Sequence, residues 1–186
     1  MSQLENILQH NREFVENKAY DPYKANRYPL KKLLVVTCMD TRLVELLPRA
    51  LNLKNGDAKV LKTAGALICQ PYGSIMRSVL VAVTKLEAQE IMVVGHHDCG
   101  MVGLTAETVL EELNERGITD ADLTRLSEDG VDVGTWLRGY KDVETGVMES
   151  VKMIQNHPLL PKDVLVHGLV IHPETGELTL LHDGRK

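Results

Sequence analysis

The sequence is poor in whatever would tie it to nucleic acid, a bilayer or an oxidising compartment. Aromatic side chains make up 4% of its 186 residues, and the 21 Lys and Arg are outnumbered by 26 Asp and Glu. With no basic cluster, and no basic residues interleaved with stacking rings, nucleic acid is not an expected partner. No apolar run approaches the ~20 residues that cross a hydrocarbon layer, so no membrane association is expected. The opening MSQLENILQHNREF lacks the continuous apolar stretch of a secretory signal. Three cysteines, Cys38, Cys69 and Cys99, are too few and too scattered for a disulfide framework. A reducing, cytoplasmic setting is the expectation. There is also no internal repeat, low-complexity tract or Pro/Gly-rich linker, and residues 1–186 are read as a single domain.

What the chain does have is alternation. Ser2 and Glu5 form a capping-box pattern, after which Leu4, Ile7, Leu8, Phe14 and Val15 recur on one helical face. KAYDPYKANRYPLK (18–31), with two prolines and three tyrosines, reads as an extended arm. Apolar, β-branched runs place strands at 32–37, 58–64, 90–96 and 163–172, with LTLLH (178–182) as a hairpin partner of the last. Helical spacing places helices at roughly 42–51 and 104–116. Another is capped by Ser74 and carries Ile75, Met76, Val79, Leu80, Val83 and Leu86. A last one is marked by Val143, Val147, Val151 and Ile154. Residues 117–141 read as a less regular excursion, a short helix plus loop. Apolar strands separated by helices predict an α/β fold. Its central sheet is mainly parallel, in order 2-1-3-4, with an antiparallel edge strand, flanking helices and an N-terminal helical arm.

Two of these strands end in chemistry. LLVVTCMDTR (33–42) delivers Cys38, Asp40 and Arg42 within five residues, and VVGHHDCGM (93–101) delivers His96 and Cys99 as an H-x-x-C pair. In a sheet of order 2-1-3-4, the chain leaves strands one and three in opposite directions. A crevice opens outside their carboxyl ends, where such sheets bind ligands. Cys38, His96 and Cys99 therefore converge there. Two thiolates and an imidazole suit one zinc ion, and three protein ligands with a free fourth place are the catalytic pattern. Asp40 either occupies that fourth place, closing the site, or stands beside it held off by Arg42.

CMDTR with HHDCGM resembles the C-x-D-x-R … H-x-x-C signature of the β-class carbonic anhydrases. KTAGAL (62–67) resembles that family's Ala-Gly turn, and VHGLVIHPETGEL (166–178) its terminal strand and turn. The resemblance runs from about residue 30 to 180 and is nearest the compact bacterial and archaeal branch. It implies a zinc enzyme that hydrates carbon dioxide reversibly to bicarbonate and a proton by attack of zinc-bound hydroxide. It carries over Cys38, His96 and Cys99 as ligands of one Zn2+ per chain, with Asp40 and Arg42 as the catalytic dyad. Asp40 is a fourth ligand only in a closed state. It also implies a homodimer or a multiple of dimers, with residues 1–31 as a helix and arm embracing the partner. Lys62-Thr63 stands where many members carry Arg-Asn. The same ligands serve relatives that hydrolyse carbon disulfide or carbonyl sulfide, and a non-catalytic closed zinc site would share all four residues.

Other constellations fall away. Cys38 and Arg42 are too close for a cysteine phosphatase loop, and no C-x-x-C exists for a thioredoxin-like centre. Cys69 is read as a free thiol outside the site and His97 as loop filler at its rim. His157, His167, His172 and His182 are read as structural or exposed.

Overall fold

A computed structural model describes residues 2–186. Five strands form one sheet: β1 (Leu33–Cys38), β2 (Ala58–Thr63), β3 (Glu90–His96), β4 (Leu165–Ile171) and β5 (Leu178–His182). Their order is β2-β1-β3-β4-β5, parallel throughout except for the antiparallel β5 edge. Every residue of β1 is buried. A run of Leu and Val with no alternation is what a strand covered on both faces demands.

The described residues also form seven helices: α1 (Gln3–Glu16), α2 (Leu43–Ala50), α3 (Ser74–Lys85), α4 (Ala106–Glu115), α5 (Asp120–Glu128), α6 (Val133–Leu137) and α7 (Val143–Gln155), all but α1 lying between strands. The packing of α7 shows how sequence positions the sheet. Asp142 caps it, accepting from the Thr145 amide at 2.7 Å. Val147, Val151 and Ile154 then recur on one face with no exposure. Each such burial contributes about 1.5–3 kcal/mol. The helix lies close because β3 carries Gly95, where a Cβ would stand 2.7 Å from both Val143 Cγ2 and Val147 Cγ2.

The capping box of α1 is present, with Ser2 Oγ accepting from the Glu5 amide and Glu5 Oε2 accepting from the Ser2 amide. Most of its apolar face is uncovered by its own chain: Leu4 is 64% exposed, Ile7 57% and Leu8 49%, and only Phe14 finds a neighbour, its ring 6.5 Å from that of Tyr23. The arm at 18–31 contains one short 3-10 turn, Asp21–Tyr23, where Pro22 presets the backbone.

Two sequence expectations change. Ser74 is the first residue of α3, and the cap is Gly73, held extended after the turn that its amide closes onto Gln70 O. Glycine serves at this position nearly as well as serine. The 117–141 stretch is also more regular than its composition suggests. Two of its aspartates set helix starts: Asp122 completes a capping box with Thr119, and Asp132 caps α6 by accepting from the Thr135 amide. Among the described residues no helix is long and apolar enough to cross a membrane.

Candidate metal centre

Cys38 is the last residue of β1 and His96 the last of β3, and Cys99 follows three residues on. Asp98 takes a left-handed φ of 55° in that turn, which brings Cys99 back beside His96. All three side chains are buried, and their donor atoms lie within 4.8 Å of one another. The Cys38 and Cys99 sulfurs are 3.9 Å apart. Two thiolates on a tetrahedral zinc at ~2.3 Å would stand about 3.8 Å apart, so the pair already has the required span.

The histidine is set for the same purpose. His96 Nδ1 is 2.9 Å from the His97 carbonyl, which can only accept, so Nδ1 carries the proton. Nε2 is left with a free lone pair, buried and without a hydrogen-bond partner among the described residues. Burial alone would lower the pKa of this imidazole. The Cys99 sulfur, the His97 carbonyl and the Asp40 carboxylate outweigh it, and the net shift is upward. A second-sphere carbonyl that fixes the tautomer is the usual companion of a ligating histidine.

Backbone amides surround the two sulfurs. Those of Asp40 and Gly65 are directed at the Cys38 sulfur, and that of Met101 at Cys99. Gly65 reaches its place with a φ of 68°, and a Cβ there would stand 2.8 Å from Met101 Cγ. The Ala-Gly turn is thus a close approach of backbone to sulfur. The two thiols titrate as a pair. Cys38, His96 and Tyr140 bring Cys99 down to about 4, whereas Cys38 is pushed well up by Cys99 and by burial. One proton leaves readily and the second is held until a cation compensates it.

Asp40 and Arg42 lie beside this triad. Arg42 Nε and Nη2 donate to the two Asp40 oxygens at 3.1 and 2.9 Å, and the Arg42 amide adds a third bond at 2.8 Å. That fork holds the Asp40 carboxyl down at about 2. Its Oδ2 stands 3.8 Å from His96 Nε2. Sequence reasoning missed Asp98 as a partner: Arg42 Nη1 donates to Asp98 Oδ2 at 2.8 Å, and Nη2 to its carbonyl at 2.9 Å. One guanidinium therefore ties the loop after β1 to the loop after β3. The signal lay in the HHDC string itself, an acid between two ligands.

A cavity of about 650 Å³ lies beside the site, lined by its neighbours Thr63, Ala64 and Met101 and running on along Leu67, Leu104 and Trp136; the triad, Asp40 and Arg42 do not line it. The remaining candidates lie outside the triad. Cys69 is exposed, His97 stands at the rim with its ring 6.1 Å from that of His172, and His157 and His167 are buried elsewhere.

The chain is similar to known proteins along nearly its whole length. The sequence model of the carbonic anhydrase family matches residues 33–178. A putative carbonic anhydrase of Bacillus subtilis, YvdA, is 57% identical over 99% of this chain and 93% of its own. A second from the same organism, YtiB, is 49% identical over 99% and 98%. Among solved structures, β-carbonic anhydrase isoform I of Trichomonas vaginalis superposes with a TM-score of 0.89 at 36% identity. It covers 99% of this chain and 100% of its own.

Proposed function

Because the chain belongs to the β-class carbonic anhydrase family, we propose that it catalyses the reversible hydration of carbon dioxide to bicarbonate and a proton. The observation that carries this reading is a three-ligand site with its neighbouring carboxylate already engaged. Cys38, His96 and Cys99 converge, while Asp40 is forked by Arg42. Three ligands with an open fourth place are what a catalytic zinc needs.

Zinc bound by Cys38, His96 and Cys99 would supply a water of lowered pKa as nucleophile at ordinary pH. Asp40 accepts a hydrogen bond from the attacking water and so fixes which lone pair faces the substrate carbon. Arg42 keeps that carboxylate ionised and turned to this task. Ala64, Leu67 and Met101 offer a small apolar wall for a linear, uncharged substrate. The wall repels bulk water, which strengthens the Asp40 interaction. The proton leaves by way of solvent or buffer. Stopped-flow measurement of carbon dioxide hydration by the zinc-loaded protein tests the reading, with activity expected to rise above neutrality. No hydration at any pH would sink it.

Residues 1–186 act as one domain in this reading, in a cytoplasmic setting that the three unpaired cysteines support. Residues 1–31 lie across a twofold-related copy, giving a homodimer or a multiple of one. The exposed face of α1 supports this, since an apolar stripe of that length seeks cover. Deleting residues 1–28 is expected to convert the dimer to monomer in sedimentation velocity. A truncated chain that stays a stable dimer would reject the arm's role.

A further inference from the structure

Four buried side-chain polar atoms lack a hydrogen-bond partner among the described residues, and three of them surround the metal centre: Thr63 Oγ1, His96 Nε2 and the Tyr140 hydroxyl. His96 Nε2 is accounted for as a ligand. The Tyr140 hydroxyl is not, and a buried phenol rarely stays without a partner.

The chain goes to some length to put it there. Tyr140 lies between α6 and α7, far along the sequence from Cys99, yet its backbone is fastened to the loop that carries that cysteine. Its amide donates to Met101 O at 3.1 Å and its carbonyl accepts from Gly103 N at 2.8 Å. Its ring is admitted by two glycines. A Cβ at Gly146 would run into Tyr140 Cδ1, and one at Gly65 would stand 2.8 Å from Cε1 and 2.9 Å from the hydroxyl oxygen. The residue itself is 6% exposed. A phenylalanine would fill the same slot, so packing alone does not call for the oxygen.

We propose that Tyr140 is a positioning residue of the metal centre, its hydroxyl donating a hydrogen bond to the Cys99 sulfur once that sulfur is a metal-bound thiolate. The hydroxyl lies beside Cys99, in a residue whose backbone is held by Met101, two residues past that cysteine. No bond of good geometry is closed in the structure as it stands, and a thiol is a weak acceptor. A thiolate is a much stronger one, and charge-assisted bonds form where neutral ones do not. Such a bond draws electron density from the sulfur and tempers its donation to the metal, as hydrogen bonds to ligating sulfurs do elsewhere. Gly65, which admits the ring, also turns its amide on Cys38. Both ligating sulfurs are thereby damped from one side.

This inference rests on the zinc reading of the triad, and its test is chosen to separate the two. Full-length wild type, Tyr140→Phe and Tyr140→Leu are loaded with Co2+, whose bands report thiolate donation directly. Tyr140→Phe is expected to bind one cobalt per chain and to melt as wild type does. Its sulfur-to-cobalt charge-transfer band should move to longer wavelength, because a sulfur without its hydrogen bond holds its lone pairs at higher energy. Tyr140→Leu is expected to show the same shift together with a lower melting temperature. If Tyr140→Phe is spectrally identical to wild type, the proposal fails and the zinc reading stands. If wild type itself binds no cobalt through Cys38 and Cys99, the reading and the inference fall together.

Discussion

Cys99→Ala is expected to lose both its zinc and essentially all hydration activity. Cys38 and His96 would remain, two donors from the ends of different strands, with nothing to complete a tetrahedron. Water cannot replace the thiolate, because one of the two sulfurs supplies half the charge that compensates the ion. Elemental analysis of the purified variant checks this, and full zinc occupancy would remove Cys99 from the ligand set. The fold itself should persist without metal, since the thiol is one contact in a large apolar core. What disappears is the added stability that zinc confers on wild type by binding only the native state. Wild type should therefore gain melting temperature on titration with zinc while Cys99→Ala does not.

Arg42→Ala is expected to keep its zinc and still lose roughly 10²-fold or more in hydration rate, the scale set by a positioned hydrogen-bonding partner. The substitution removes no ligand. It frees the Asp40 carboxylate, which stands 3.8 Å from His96 Nε2, to turn onto the metal. It also cuts the two bonds to Asp98 that hold the loops together. Arg42→Lys should recover only part of the loss, because an ammonium cannot fork two carboxylate oxygens and reach Asp98 as well. The pH dependence follows from the depressed Asp40 value. A carboxyl held at about 2 contributes native stability fully above its ordinary value of 3.8, and that contribution is lost as pH falls through about 2. Across the working range of the enzyme Asp40 stays ionised, so a fall in activity on mild acidification originates elsewhere. An anion competing for Arg42 is then the remaining way to release Asp40. Asp40→Ala should also retain zinc and be slow, for want of orientation. If wild type were inactive at every pH and Asp40→Ala were markedly less stable, a closed structural site would be the better account.

Much of this was legible because the chemistry is local in sequence. CMDTR and HHDCGM each place their donors within a few residues of a strand end, and β1 and β3 announce themselves by unbroken apolar runs. The rule that ligands gather where crossovers diverge then joined the two segments. Features built from distant residues were not legible. Tyr140 reaches the site only because Gly65 and Gly146 leave room for its ring, and nothing near GYKDV in the sequence signals that. For the Arg42–Asp98 tie, HHDC offered the acid but not its partner, which depends on how two loops fold toward each other. The helices at 120–128 and 133–137 were obscured for another reason: Thr, Asp and Gly serve both loops and caps, and composition alone does not distinguish the roles.

The order of strands in the sheet also sets a timetable. β1 can pair with β2 soon after both exist, but its other neighbour, β3, lies beyond a further helix, and it and the loop after it carry two of the three ligands. Parallel pairing of this kind closes a long loop before any contact repays the entropy, so it comes late in folding. During synthesis Cys38 emerges well before His96 and Cys99, and for that interval it is a solitary thiol on a strand with one edge open. The complete three-ligand pocket exists only once the β1–β3 seam has zipped, so full metal affinity is expected to appear only after those strands pair.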